Sequence, residues 1–108
     1  MIIAVSVGPE STVGEGWGQA HDVAIADVQD GAIATWEDHA VAWDIAHDEG
    51  TEGSHHARIA KFLREYKVEA VVTGHMGDGM VRMLGTMGIA ANLGMTGDAK
   101  AAAVAVAR

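Results

Sequence analysis

The chain has 108 residues, 49% hydrophobic and 20% charged, enough for one modest core in a single soluble domain spanning 1–108. Fifteen acidic against seven basic side chains leave a formal charge of -8, which argues against a nucleic-acid backbone or an anionic membrane as partner. The absence of cysteine excludes disulfides, thiolate catalysis and thiolate-held iron–sulfur clusters, so a metal would be held by His, Asp, Glu, Met or main chain.

In chain order, "IIAVSV" (2–7) is a short buried-strand run. The opening "MIIAVSVG" has no basic n-region, and no apolar stretch reaches the ~20 residues of a membrane span, so a cytoplasmic location is expected. "GPESTVGEGWGQ" (8–19) is a loop, by its glycines and the only proline. "HDVAIADVQ" (21–29) and "AIATWEDHAVAW" (32–43) are strands flanking Asp30-Gly31, a strong hairpin signal. The polar stretch "DIAHDEGTEG" (44–53), with His39, reads as surface, and Ser54 is a good helix N-cap. Ile59, Phe62, Leu63 and Tyr66 then recur at helical spacing. "VEAVVTG" (68–74) is a strand, Asp78 can cap a helix, and Met80, Met83, Leu84 and Met87 form its core stripe. "IAANLG" (89–94) is the last strand, and Thr96 is the expected cap of an Ala-rich final helix.

The order β-β-β-α-β-α-β-α implies parallel strands 1, 4 and 5 joined by right-handed crossovers, with strand 2 reversed. The helix starting at Ser54 then begins at the edge where strand 4 ends, at Gly74-His75. The first loop, His21 and Gly94-Met95-Thr96 reach the same edge, where ligands of open α/β sheets bind. His55, His56 and His75 thus meet at one rim and are the candidate metal ligands. Each also has a plain reading: exposed polar residues at a helix start for the pair, a loop hydrogen bond for His75. Trp17 either packs over the sheet edge or walls a ligand. Asp27 lies within a strand, but no acidic partners recur as a two-metal nuclease would need, and the glycines around Asp78 make no nucleotide-binding motif.

"GEGWGQA" (14–20), "GSHHARIAKFLREYKVEAVVTGHMGDGM" (53–80) and "GIAANLGMTGD" (88–98) together resemble, in motif order, the dinitrogenase iron–molybdenum cofactor biosynthesis family. Gly16 and Trp17 stand where that family often has His-Phe, Gln19 replaces a basic residue, and His75 stands where glycine is common. The resemblance implies a ribonuclease H-like α/β fold, a five-stranded mixed sheet in order 3-2-1-4-5 with strand 2 antiparallel, flanked by helices. It also implies a role in carrying or inserting nitrogenase cofactor or its iron–sulfur precursors.

Two functions are therefore expected to compete. In the first, a non-enzymatic carrier holds an iron–sulfur or iron–molybdenum-type cluster through His55, His56 and His75. Trp17, Gly18, Gly74, Gly77, Gly79 and Thr96 line its site, and protein donors or acceptors hand the cargo over. In the second, a small-anion or metabolite-binding module uses the helix starts at Ser54, Asp78 and Thr96, with hydrolysis by His75 as acid/base its further extension. No nucleophile with an adjacent base is visible, so no enzyme is expected. A monomer is the expected state.

Overall fold

A computed structural model describes residues 1–46 and 50–107. Five strands form one sheet in the order β3-β2-β1-β4-β5. They are β1 (Ile2–Val7), β2 (Asp22–Gln29), β3 (Ala32–Ala40), β4 (Ala70–Val72) and β5 (Ala90–Asn92). Between and after them come α1 (Trp43–Ala46), α2 (Glu52–Glu65), α3 (Asp78–Thr86) and α4 (Ala99–Val106). β1 runs antiparallel to β2 and parallel to β4, and β4 runs parallel to β5. The expected mixed sheet, its strand order and the reversed strand 2 are all present.

β1 has no polar face because it lies at the centre of the sheet. Ile3, Ala4, Val5 and Ser6 are all fully buried, the pattern of a strand covered on both sides. On one side, Ala4 and Val71 pack with Ile59 and Leu63 of α2 and Met80 and Leu84 of α3. On the other, Ile3, Val5, Ala70 and Val72 pack with Ala99, Ala102 and Ala103 of α4. The small residues of α4 let that helix lie close to the sheet, and the longer side chains of α2 and α3 fill the deeper layer. The methionine stripe is core, as its spacing requires: Met80 and Leu84 are buried, with Met83 and Met87 packed against them. Among the described residues no helix is long and apolar enough to cross a membrane.

The Asp30-Gly31 turn has both residues at positive φ, 53° and 77°, the arrangement that lets two residues join twisted strands. β3 ends sooner than its alternating pattern suggests. At Ala42 the backbone enters the left-handed region (φ 51°), its N–H donates to the carbonyl of His21, and Trp43 turns inward as α1 begins. Burying the Trp43 indole against Trp17, edge to face at 5.2 Å, outweighs continuing an edge strand. Of the polar stretch 44–53, residues 47–49 lie outside the described residues, and the others are mostly exposed.

Each helix start is displaced from its expected cap. α2 begins a turn earlier, with Thr51 as N-cap and Ser54 as its third residue, the two exchanging hydrogen bonds in a capping box. α3 is capped by Gly77 without a side-chain bond, and Asp78 is its first residue, its carboxylate next to the positive helix end. α4 is capped by Asp98, which accepts from the N–H of Ala101 at 2.9 Å, rather than by Thr96. At α2 and α4 more than one Ser, Thr or Asp stands near the start, and the one whose backbone is extended next to the first turn becomes the cap.

Leu84→Ala should lower the unfolding free energy by roughly 2–5 kcal/mol in urea denaturation, since the side chain is fully buried. Met80 is a less clean probe because it also faces the groove described below. In the same assay Asp98→Ala should cost ~1 kcal/mol through the lost cap, and Thr96→Ala less than about 0.5 kcal/mol.

Candidate functional site

The first loop folds back across the carboxyl end of the sheet. Gly14 donates to the carbonyl of Ser6 at 2.7 Å, Gly74 donates to that of Gly14, and Trp17 to that of His75 at 2.9 Å. Gly16 and His75 pair as in a parallel ladder, so residues 14–17 continue the main-chain bonding beyond the end of β4. This approach explains Gly74. A Cβ there would lie 2.7 Å from the Glu15 carbonyl oxygen, inside contact distance of a rigid backbone. Beneath the loop, the buried hydroxyls of Ser6 and Thr73 meet at 2.8 Å, and Ser6 also donates to the Gly14 carbonyl. Thr73 is therefore the donor between them.

Two adjoining depressions open at this rim. One, of about 390 Å³, is lined by Gly18, Glu52, His55, His56, Gly77 and Met80. The other, of about 330 Å³, is lined by residues 16–19 together with His75, Met76 and Gly77. Gly18 and Gly77 belong to both, so the two read as one divided groove between the first loop and the starts of α2 and α3.

The three candidate histidines reach this groove in different states. His75 is exposed on its outer part. His56 is half-buried, with its Nε2 3.7 Å from a Glu52 carboxylate oxygen one turn back on α2. Its Cε1 would touch a Cβ at Gly79 at 3.2 Å, so glycine at 79 makes room for the imidazole. His55, one residue earlier and about 100° round the helix, turns inward and is buried. Its Nε2 donates to the Gly18 carbonyl at 2.7 Å, and Arg58 Nη1 donates to its Nδ1 at 3.0 Å. With both nitrogens engaged, a metal at His55 would first have to displace one of these partners. Among the described residues, no three His, Asp or Glu side chains stand together as a group that could hold a metal ion.

The other candidates divide similarly. Gly18 and Gly77 line the groove, and Trp17 contributes to its outer part although its side chain is fully buried against Trp43. Gly79 supports His56 from α3. Gly74 and Thr96 line neither depression: Gly74 serves the loop crossing, and Thr96 is exposed in the turn before α4.

Residues 1–108 match the sequence profile described as "Dinitrogenase iron-molybdenum cofactor". The chain belongs to that family. No curated protein matches it. Among solved structures the fold is similar to that of PH0822, with TM-score 0.75 and 15% identity over 98% of this chain and 88% of that one. It is also similar to the apo form of the orange protein (ORP) from Desulfovibrio gigas, with TM-score 0.69 and 22% identity over 96% and 83% of the two chains. At such identities the likeness is one of fold.

Within this family frame, sequence reasoning missed Glu52, Arg58 and the Ser6–Thr73 pair. Glu52 stands four residues before His56, a spacing that already puts the two on one helix face. Arg58 likewise follows His55 by three. The Ser6–Thr73 contact joins residues 67 apart and has no local signal. His39, expected at the surface, is half-buried against the rings of Phe62 and Tyr66.

At the same rim, exposed His21 bonds the Asp44 carboxylate at 3.0 Å. The hydrogen bond and charge of Asp44 raise the His21 pKa above the ordinary imidazole value, and the bond to His21 lowers that of Asp44. The raised imidazole contributes fully below 6.5 and fades as pH rises through its folded value; the lowered carboxylate contributes fully above 3.8 and fades as pH falls through its own. The pair is therefore intact between those two values. An NMR titration should show His21 protonating above pH 6.5, and Asp44→Asn should return its midpoint toward that value.

Proposed function

We propose that this protein binds and carries a metal cluster of the iron–sulfur or iron–molybdenum type in the divided groove, without catalysing a reaction. The observation that carries this reading is the placement of two imidazoles, His56 and His75, on the two parts of one groove that share Gly18 and Gly77. Family membership supports it, as does the likeness to an orange protein described in its apo form.

The chemistry of the groove suits such a cargo. Imidazole nitrogen binds iron, and a cysteine-free site holds a preformed cluster less tightly than a ring of thiolates. Glu52 stands beside His56, where a carboxylate can orient a ligating imidazole. At Gly77, α3 begins with no side-chain cap, which leaves first-turn N–H groups for the sulfide or oxide atoms of an anionic cluster. Arg58, bonded to His55, and Arg82, near Gly79, flank the groove and offset the overall negative charge there. A carrier of this kind takes its cargo from one protein and yields it to another.

The same uncapped start of α3 favours a second reading, a small-anion or metabolite site without metal. Anaerobic titration with a reconstituted iron–sulfur cluster, followed by visible and iron spectroscopy, separates the two. His75→Ala and His56→Ala should each weaken cluster binding at least about tenfold while leaving the fold intact, since neither side chain is in the core. Thermal stabilisation by inorganic phosphate, undiminished by His75→Ala and paired with no cluster uptake, would favour the second reading.

A further inference from the structure

The proposed ligation leaves His55 without a part, yet it is the buried histidine of the groove. We infer that His55 and Arg58 are positioning residues that hold the Gly18 peptide as part of the partition between the two depressions, and so govern how readily the groove admits and releases cargo. The second half of this inference rests on the carrier reading; the first does not.

Gly18 and Gly77 line both depressions, and Gly18 is the part of the partition that the first loop supplies. Its neighbours are differently secured. Trp17 is anchored by its ring in the core and by its N–H on the His75 carbonyl, whereas Gln19 is exposed. The Gly18 carbonyl is held by His55 Nε2 at 2.7 Å. Around the Gly18 Cα there is little else: an added Cβ would find only that same nitrogen, at 4.0 Å. With glycine on one side, this peptide can turn at little conformational cost once the bond is released.

Arg58 favours the ring tautomer that makes this bond. A guanidinium only donates, so its contact at 3.0 Å requires a lone pair on His55 Nδ1. The ring proton is thereby placed on Nε2, the nitrogen facing the Gly18 carbonyl. α2 supplies a fixed base for the pair, because Ile59 and Leu63 on its inner face are buried against the sheet. Turning the Gly18 carbonyl away opens the partition from the side of the first loop, leaving Gly77 as the shared floor.

The test uses ¹⁵N relaxation on the cargo-free protein, comparing wild type with Arg58→Ala, His55→Leu and His55→Gln. Gly18 and Gln19 should have order parameters near the rigid value of ~0.85 in wild type, falling below ~0.6 in Arg58→Ala and His55→Leu. His55→Gln, whose amide can donate to the same carbonyl, should restore them, while β1 and β4 stay unchanged throughout. With a reconstituted iron–sulfur cluster loaded, Arg58→Ala should release it about tenfold faster at an unaltered thermal midpoint. Unchanged order parameters in Arg58→Ala overturn the inference even if His55→Leu fails to fold, since Arg58 is exposed. Cluster loss in His55→Leu with a rigid Gly18 would make His55 a ligand and overturn it too. If wild type takes up no cluster, the carrier reading fails, and the order parameters still decide the partition.

Discussion

Three residue pairs, Ile3 with Ala70, Ala4 with Val71 and Val5 with Val72, align β1 and β4 in parallel at the centre of the sheet. Because the strands point the same way, the chain leaves both at one edge, and the loop after β1 meets the loop after β4 there. The reversed β2 starts at that edge, and α2, which must run back before β4, begins at it. An antiparallel β4 would send residues 74–77 to the far side of the molecule, away from His56 and Gly18. The groove is thus a consequence of strand direction, and the apolar burial of β1 is what holds that direction.

Much of this was legible from residue pattern. The hairpin at Asp30-Gly31 announced itself because two consecutive positive φ angles call for such a dipeptide. The inner face of α2 was readable from Ile59, Phe62, Leu63 and Tyr66. The shared direction of strands 1, 4 and 5 was readable from right-handed crossovers, whereas the strand order came with the family resemblance. What remained hidden depended on tertiary partners. Ser54, Asp78 and Thr96 were each plausible caps by type, but a cap is chosen by backbone conformation, which the incoming loop sets. Val41 and Trp43 continued an alternating strand pattern, but a second tryptophan, 26 residues away, drew Trp43 inward.

The histidines show the same limit at the level of chemistry. His55 and His56 are neighbours with identical side chains, and only helical spacing tells them apart: His55 is four residues before Ile59, and His56 four after Glu52. The helix separates them by rotation alone: one ring meets a carbonyl 37 residues away, and the other meets the groove and Glu52. Convergence on one rim was readable from topology, but the division of work between scaffold and solvent-facing imidazole was not. In a chain without thiols, that division decides how many lone pairs the groove can offer.

Helix α3 carries two glycines, Gly79 and Gly85, in nine residues, and begins without a side-chain cap. Each interior glycine weakens a helix by roughly 0.8–1 kcal/mol relative to alanine, so this segment has little tendency to be helical by itself. Its order is borrowed from Met80 and Leu84, pressed against the sheet one turn apart. The groove floor is therefore anchored from below and only weakly stiffened along its own axis. Gly77, Asp78 and Gly79, ahead of the anchored Met80, can thus adjust without disturbing the core, which leaves this part of the groove adaptable in shape.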